Sequence, residues 1–438
     1  MKKISIKQWA VICACTAALT AGAITLRELN KPVVLELGMF VGSNWGVANA
    51  NSYVIIDKAI ERFESEHKNV KVLYDSGIQK VDYSEWFARR VLSGNAPDVF
   101  MVLSSDFYQF SSMGIMKNLD GLMQSDESFH KDKFFTTALD SGKYGGTQYA
   151  LPYEIVPTLM FVNKSLLLSN GIQVPSYDWT WNDFYDICSR LTQDSHQNEA
   201  ANRFGTLNFN WYDVVTTNGA YLFDADGKQA NFTDERVAEA IRFSKQIYDL
   251  NHGQKVTQED FDNGNVAFMP LLFAEYRTYK TYPYKIKKYT SFQWDCITMP
   301  SGKNGGNTSS VDSLLIGINS RTRHEKLAWE FLKLLTYDEE LQTDIFRYSQ
   351  GASALRSVTN SIQVEKILQE EMEEGERIIS HELLSRVIEE GSVTPRFPNY
   401  IEAMALAENE VNKIFESNKN IDQTLKYIQR TVSRFLVN

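Results

Sequence analysis

The sequence predicts an α/β protein of two lobes, each a sheet flanked by helices, with a hinge between the lobes. Three observations point there. Val33–Val102 alternates strand and helix patterns in β-α-β-α-β order. Ala96–Val102, its third strand, is almost continuously apolar, as in parallel strands buried on both faces. Thr147–Leu167 then opens a second βα-patterned region, and Gly/Ser-rich breaks near Lys143–Ala150, Asn307–Ser310 and Ser353–Arg356 mark passages between lobes. The expected divisions are 33–145 plus 308–353 for the first lobe, and 146–307 plus 354–438 for the second.

The chain opens with a targeting element. Lys2, Lys3 and Lys7 precede the apolar core Trp9–Leu19, and Ala21-Gly22-Ala23 fits a small-residue cleavage pattern. Trp9–Leu26 also has the length of an uncleaved anchor, and Ile12-Cys13-Ala14-Cys15 loosely resembles a lipidation box ending at Cys15. Each reading of residues 1–30 places the body outside the cytoplasmic membrane, tethered or secreted.

Val33–Leu37 reads as the first strand, followed by the loop Met39–Asn51 with Phe40, Ser43, Asn44 and Trp45. Asn51 or Ser52 is the expected cap of a helix whose apolar face is Ile56, Ala59, Ile60 and Phe63. Val70, Val72 and Tyr74 alternate as a second strand, and a helix around Phe87 and Val91 ends near Gly94. Asp98 enters the third strand and reads as a backbone-capping carboxylate. Ser104, Ser105, Asp106 and Phe107 follow that strand's carboxyl end, where ligands sit in open α/β sheets.

In the crossing stretch, Leu151-Pro152-Tyr153-Glu154 reads as a stiff turn, and Thr158–Val162 as a separate buried strand. Thr180 and Asp183 have capping-box spacing ahead of the buried face Phe184, Ile187, Cys188 and Leu191. Phe204–Leu207 reads as a strand. Asn208-Phe209-Asn210-Trp211-Tyr212 is either a core cluster or a stacking platform, rings for apolar sugar faces and amides for hydroxyls. Asp224–Lys228 lacks the Gly and closing Glu of a calcium loop and reads as a turn. Thr233 is the expected cap of a helix with Val237, Ile241, Ser244 and Tyr248 on one face. Ile401, Met404, Ala405, Val411, Ile414 and Phe415 mark a late amphipathic helix packed on the second lobe.

Composition narrows the function. A net charge of −10 and a pI near 5.3 argue against a nucleic-acid partner. Aromatic content of 12% suits large cores or rings lining a cleft. Of four cysteines, Cys188 and Cys296 lie in the body, either as one disulfide or as two buried thiols. No spacing suggests a metal or cofactor, and no H-E-x-x-H, G-x-S-x-G, G-x-G-x-x-G or P-loop is present. A carboxylate pair from Glu154, Asp106 and Glu275 meeting in a cleft is the one enzymatic arrangement left.

Several motifs together resemble one family. Pro152-Tyr153, a strand, then Asn163-Lys164 is similar to the lobe-crossing segment of bacterial extracellular solute-binding proteins, the sugar receptors of ABC importers. Gly94 with Ala96-Pro97-Asp98-Val99 resembles its G-x-x-P-D-[VI] signature, and Trp181-Asn182-Asp183-Phe184 its W-[DN]-[DE]-[FL] helix opening. Phe261–Met269 resembles F-x-x-G-x-[VA]-A-M, and His324–Leu332 resembles K-x-x-A-W-x-F-[IL]. Gly351–Arg356 stands at a G-x-x-P segment whose Pro is absent.

The resemblance implies a periplasmic-binding-protein-like fold (type II), with Ser310–Ile318 re-entering the first lobe. It implies a non-enzymatic monomer without cofactor that captures a carbohydrate between its lobes by hinge closure. The partners it implies are that ligand and the transmembrane subunits of an ABC permease. A surface sensor feeding a histidine kinase would use the same fold. The expected stacking residues are Trp45, Tyr153, Phe209, Trp211 and Phe273; the expected hydroxyl-bonding residues are Asn44, Ser105, Asp106, Glu154, Asn210, Glu275 and Asp312. Phe273, Glu275 and Tyr276 enter because the family's residues after the Phe261–Met269 segment face the cleft.

Overall fold

One strand ties the molecule together. The computed structural model describes residues 32–197, 203–224, 227–281, 292–370 and 379–437, with backbone alone at 193–197 and 279–281. The expected targeting segment, with Cys13 and Cys15, lies outside the described residues.

The strands are β1 (Val33–Gly38), β2 (Val70–Tyr74), β3 (Val99–Val102), β4 (Lys143–Tyr144), β5 (Thr147–Gln148), β6 (Ala150–Asn163), β7 (Phe204–Thr206), β8 (Val266–Leu272), β9 (Trp294–Ile297), β10 (Ser310–Ile318) and β11 (Ser392–Val393). The main sheet runs β2-β1-β3-β10-β6-β8-β7, with β11 on β10 and β9 on β6. β1 is parallel to β2 and β3, and the intervening helices Val54–Glu66 and Lys80–Leu92 are the crossovers that parallel pairing requires. β10 runs antiparallel to both β3 and β6. It therefore belongs to the same sheet as β1–β3, although some 200 residues of sequence separate them.

β6 corrects the crossing as read from sequence. Leu151–Glu154 is no turn: β6 is one strand of 14 residues, all buried. Pro152 lacks an N–H for the ladder. It sits opposite Leu315, where the register shifts between Leu314 and Leu315, and this irregularity accommodates it. Residues up to Pro157 pair with β10; from Thr158 onward the strand pairs with β8 on one edge and β9 on the other. Successive side chains point to opposite faces. Leu159 and Phe161 enter a core with Leu35, Val99, Ile316 and Phe331. Met160 and Val162 enter a second core with Phe184, Trp211, Ile241 and Phe268.

The helices follow their apolar spacing more faithfully than their capping signals. Val54–Glu66 buries Ile56, Ala59 and Phe63, but starts at Tyr53 with no side-chain cap from Asn51 or Ser52. Asp234, not Thr233, caps Glu235–Leu250 by accepting from the Arg236 N–H at 2.9 Å, since its short carboxylate sits next to the first free amides. The Thr180–Asp183 box forms, with Asp183 accepting from the Thr180 N–H at 2.8 Å. Asp98 takes the Glu36 N–H at 2.9 Å and the Thr322 hydroxyl, joining β1 to the turn after β10. The late helix Tyr400–Ser417 packs Ala403, Ala407, Val411 and Ile414 into the second core, while Ile401 is exposed. Cys188 and Cys296 are buried in different cores and form no disulfide.

Candidate functional site

β10 carries Asp312 to the point where the two cores meet. Its Oδ1 accepts from the Ser104 hydroxyl at 3.0 Å, the Ser313 N–H at 2.9 Å and Arg396 Nη2 at 3.1 Å. Its Oδ2 takes no protein donor among the described residues, and the side chain is 46% exposed. Three donors thus fix one oxygen and leave the other to solvent or ligand. Arg396 is nearly enclosed, donates to the Ser141 carbonyl at 2.9 Å and lies 5.7 Å from the Phe107 ring. Burial lowers its pKa, and Asp312 opposes that shift.

Nearby, Lys80 donates to the Asn44 carbonyl, with burial lowering its pKa and the Asp312 charge raising it. Asp106 accepts from Ser84 at 2.6 Å and from Ser105 at 3.2 Å. Asn44, Ser105, Asp106 and Asp312 therefore belong to the carboxyl-end region of β1 and β3 and the adjoining face of β10.

A cavity of about 430 Å³ lies beside this point. Its wall includes Tyr212, Asp213, Tyr221, Tyr400 and Glu408, together with Ser310 of β10 and Thr394-Pro395 before Arg396. Ser310 and Asp312 are two residues apart on one strand and share a face. The volume is within the range of small-molecule sites, about 300–1,000 Å³. Tyr221 is 63% exposed, so its ring is open for stacking. Burial pushes the Asp213 carboxyl up to about 7, against one backbone N–H from Asn210. The Tyr212 and Tyr400 hydroxyls are pushed to about 12, also by burial.

Other sequence-chosen residues sit elsewhere. Glu154 is buried, and its Oε1 accepts from the Ser349 hydroxyl and the Gly351 N–H, both at 2.6 Å. Burial raises its pKa, opposed by these donors, by Trp45 and by the Arg277 charge. The Trp45 indole N–H faces it without completing a hydrogen bond. Asn44, Tyr153 and Glu154 do share a cavity, but of only about 30 Å³, room for roughly one water rather than a sugar. Trp211 is buried in the second core. Phe273 has no exposed surface and stacks on Tyr276 at 6.1 Å. Glu275 accepts from the Leu272 N–H at 2.9 Å and so caps its own helix. Phe209 packs edge-on against Phe184, and the Asn210 amide donates to the Tyr212 hydroxyl at 2.6 Å. Glu154, Asp106 and Glu275 each have separate hydrogen-bond partners, and no group of three His, Cys, Asp or Glu converges for a metal among the described residues.

Residues 48–341 match the family model of the bacterial extracellular solute-binding proteins. The chain belongs to this family. A multiple sugar-binding protein of Streptococcus mutans is 22% identical over 302 residues, covering 66% of this chain and 69% of its own. An uncharacterized lipoprotein of Streptomyces antibioticus is 23% identical over 339 residues, covering 72% and 70%. The crystal structure of a cyclic α-maltosyl-1,6-maltose binding protein from Arthrobacter globiformis superposes with a TM-score of 0.75 at 13% identity, covering 92% of this chain and 99% of the other. The fold is thus the two-lobed one of solute-binding proteins. The tyrosine cavity lies beside β10.

Sequence reasoning singled out none of Lys80, Asp213, Tyr221, Arg396, Tyr400 and Glu408 for this region, and took Tyr212 only as part of the Asn208–Tyr212 cluster. The one available signal was Pro395-Arg396-Phe397-Pro398, which is too stiff for a helix interior and holds Tyr400 at the helix start.

Proposed function

We propose that the chain is the extracytoplasmic substrate-binding subunit of an ABC importer, capturing an oligosaccharide between its lobes and delivering it to the permease's transmembrane subunits. The observation that carries this reading is the tyrosine- and carboxylate-walled cavity on the same face of β10 as Asp312. Sugar hydroxyls bond well to a charged acceptor whose other oxygen is fixed. Sugar faces pack on rings such as Tyr221.

Asp312 stands on a strand that passes between lobes, so contacts from both sides favour closure only with ligand present. The lobes are 33–145 plus 308–353 and 146–307 plus 354–438, the protein acts as a monomer, and its N-terminal segment holds it at the cell surface. The lipoprotein relative supports a tether. Within the site set, Asn44, Ser105, Asp106, Asn210 and Asp312 remain as hydroxyl-bonding groups; Tyr212, Tyr221 and Tyr400 take the stacking role in place of Trp211 and Phe273.

A thermal-shift screen against linear and cyclic oligosaccharides tests the reading. A ligand at a hundred times its dissociation constant stabilises by about 2.7 kcal/mol. A stabilising hit supports the proposal, and no shift with any neutral or charged oligosaccharide overturns it.

A further inference from the structure

The tyrosine cavity, open to solvent on one side, has an uneven charge balance. Among the described residues its charged lining groups are Asp213 and Glu408, with no Lys, Arg or His. Neither carboxylate has an ion-pair partner among the described residues, whereas Asp312 close by is paired with Arg396. The Asp213 carboxyl is among the lining groups, met by a single backbone N–H from Asn210. Tyr212, Tyr221 and Tyr400 offer ring faces, which attract a cation through their quadrupole. A half-buried carboxylate without a partner is costly, and a ligand that brings the missing positive charge gains what a neutral one does not.

We propose that this cavity receives a protonated amino group, so that the captured oligosaccharide is an amine-bearing one. The inference rests on the oligosaccharide reading above. The Asp213 carboxyl is pushed up to about 7 by burial, as befits a carboxyl with no cation facing it. The titratable groups around it are the Tyr212 and Tyr400 hydroxyls and the Glu408 carboxylate, none of them positive. An ammonium in the cavity favours the ionised carboxylate. Affinity for an amine-bearing ligand therefore rises as pH rises through about 7, until the amine itself loses its proton.

The test is calorimetric titration with maltotriose, cellotriose and mannotriose, each beside isosteres in which one hydroxyl is replaced by an amine. At neutral pH at least one amino isostere should bind roughly tenfold more tightly than its parent. Asp213→Asn should collapse that ratio while unfolding stays cooperative. The ratio for the wild type should also grow between pH 6 and about 7.5. If neutral parents bind and every amino isostere binds equally or more weakly, the amine inference is overturned and the oligosaccharide reading stands. If no trisaccharide of either kind binds, both are overturned together.

Discussion

Asp312 is the residue whose geometry is most specific. With Oδ1 held by Ser104, Ser313 and Arg396, its position is set before ligand arrives. Asp312→Asn should weaken oligosaccharide binding by about 1.5–3 kcal/mol, the value of a hydrogen bond to a charged group, as read by calorimetry. Glu154 makes the opposite case. Glu154→Ala leaves the buried Gly351 N–H without its acceptor and should lower unfolding stability by about 1–3 kcal/mol in a urea titration, with affinity changed far less. A larger loss of affinity than of stability in that variant would return Glu154 to the cleft.

The sequence made these residues visible unevenly. Asn44, Tyr153 and Glu154 were all chosen from sequence for one cleft, and they do line one small cavity. Their enclosure was not legible, since it depends on Ser349 and Gly351 folding back from almost 200 residues away. Trp211 and Phe273 are buried, and a ring after a strand end serves equally well as a platform or as core. Only tertiary packing separates the two roles.

At the scale of elements, strand and helix identity was legible wherever an apolar period ran long enough. β1, β2, β3 and β10 and the helices Val54–Glu66 and Glu325–Tyr337 follow their patterns. The caps and the crossing were less so. Two prolines made Ala150–Asn163 look broken, yet a register shift and a change of strand partner accommodate them.

Close packing between elements gives a further prediction. A Cβ on Gly205 of β7 would lie 2.4 Å from the Cys188 Cβ and 2.9 Å from its Cα. Helix and strand backbones must therefore separate, and Gly205→Ala should cost about 1–3 kcal/mol in denaturant midpoint analysis. Unaltered stability would mean that the helix Trp181–Gln197 is not seated on β7 as described.

At the scale of the molecule, two cores share β6 as a wall. Burial also gives the protein a pH signature. The folded-state pKa of Asp213 stands near 7, above its ordinary value near 4. Its contribution is fully present below about 4 and is lost as pH rises through about 7. Asp213→Asn should flatten the decline in unliganded stability between those limits, and an unchanged slope would place the titration elsewhere.

The central claim is that ligand is held at once by the crossing strand and by the tyrosine cavity. Calorimetric titration of the best oligosaccharide from the screen into wild type, Asp312→Asn and Tyr221→Ala tests it most directly. The account predicts that each substitution weakens binding, by about 1.5–3 kcal/mol for Asp312 and about 1–2 kcal/mol for the lost ring, while unfolding stays cooperative. Wild-type affinity in both variants would contradict it, because the ligand would then be bound away from the face that β10 presents to the cavity.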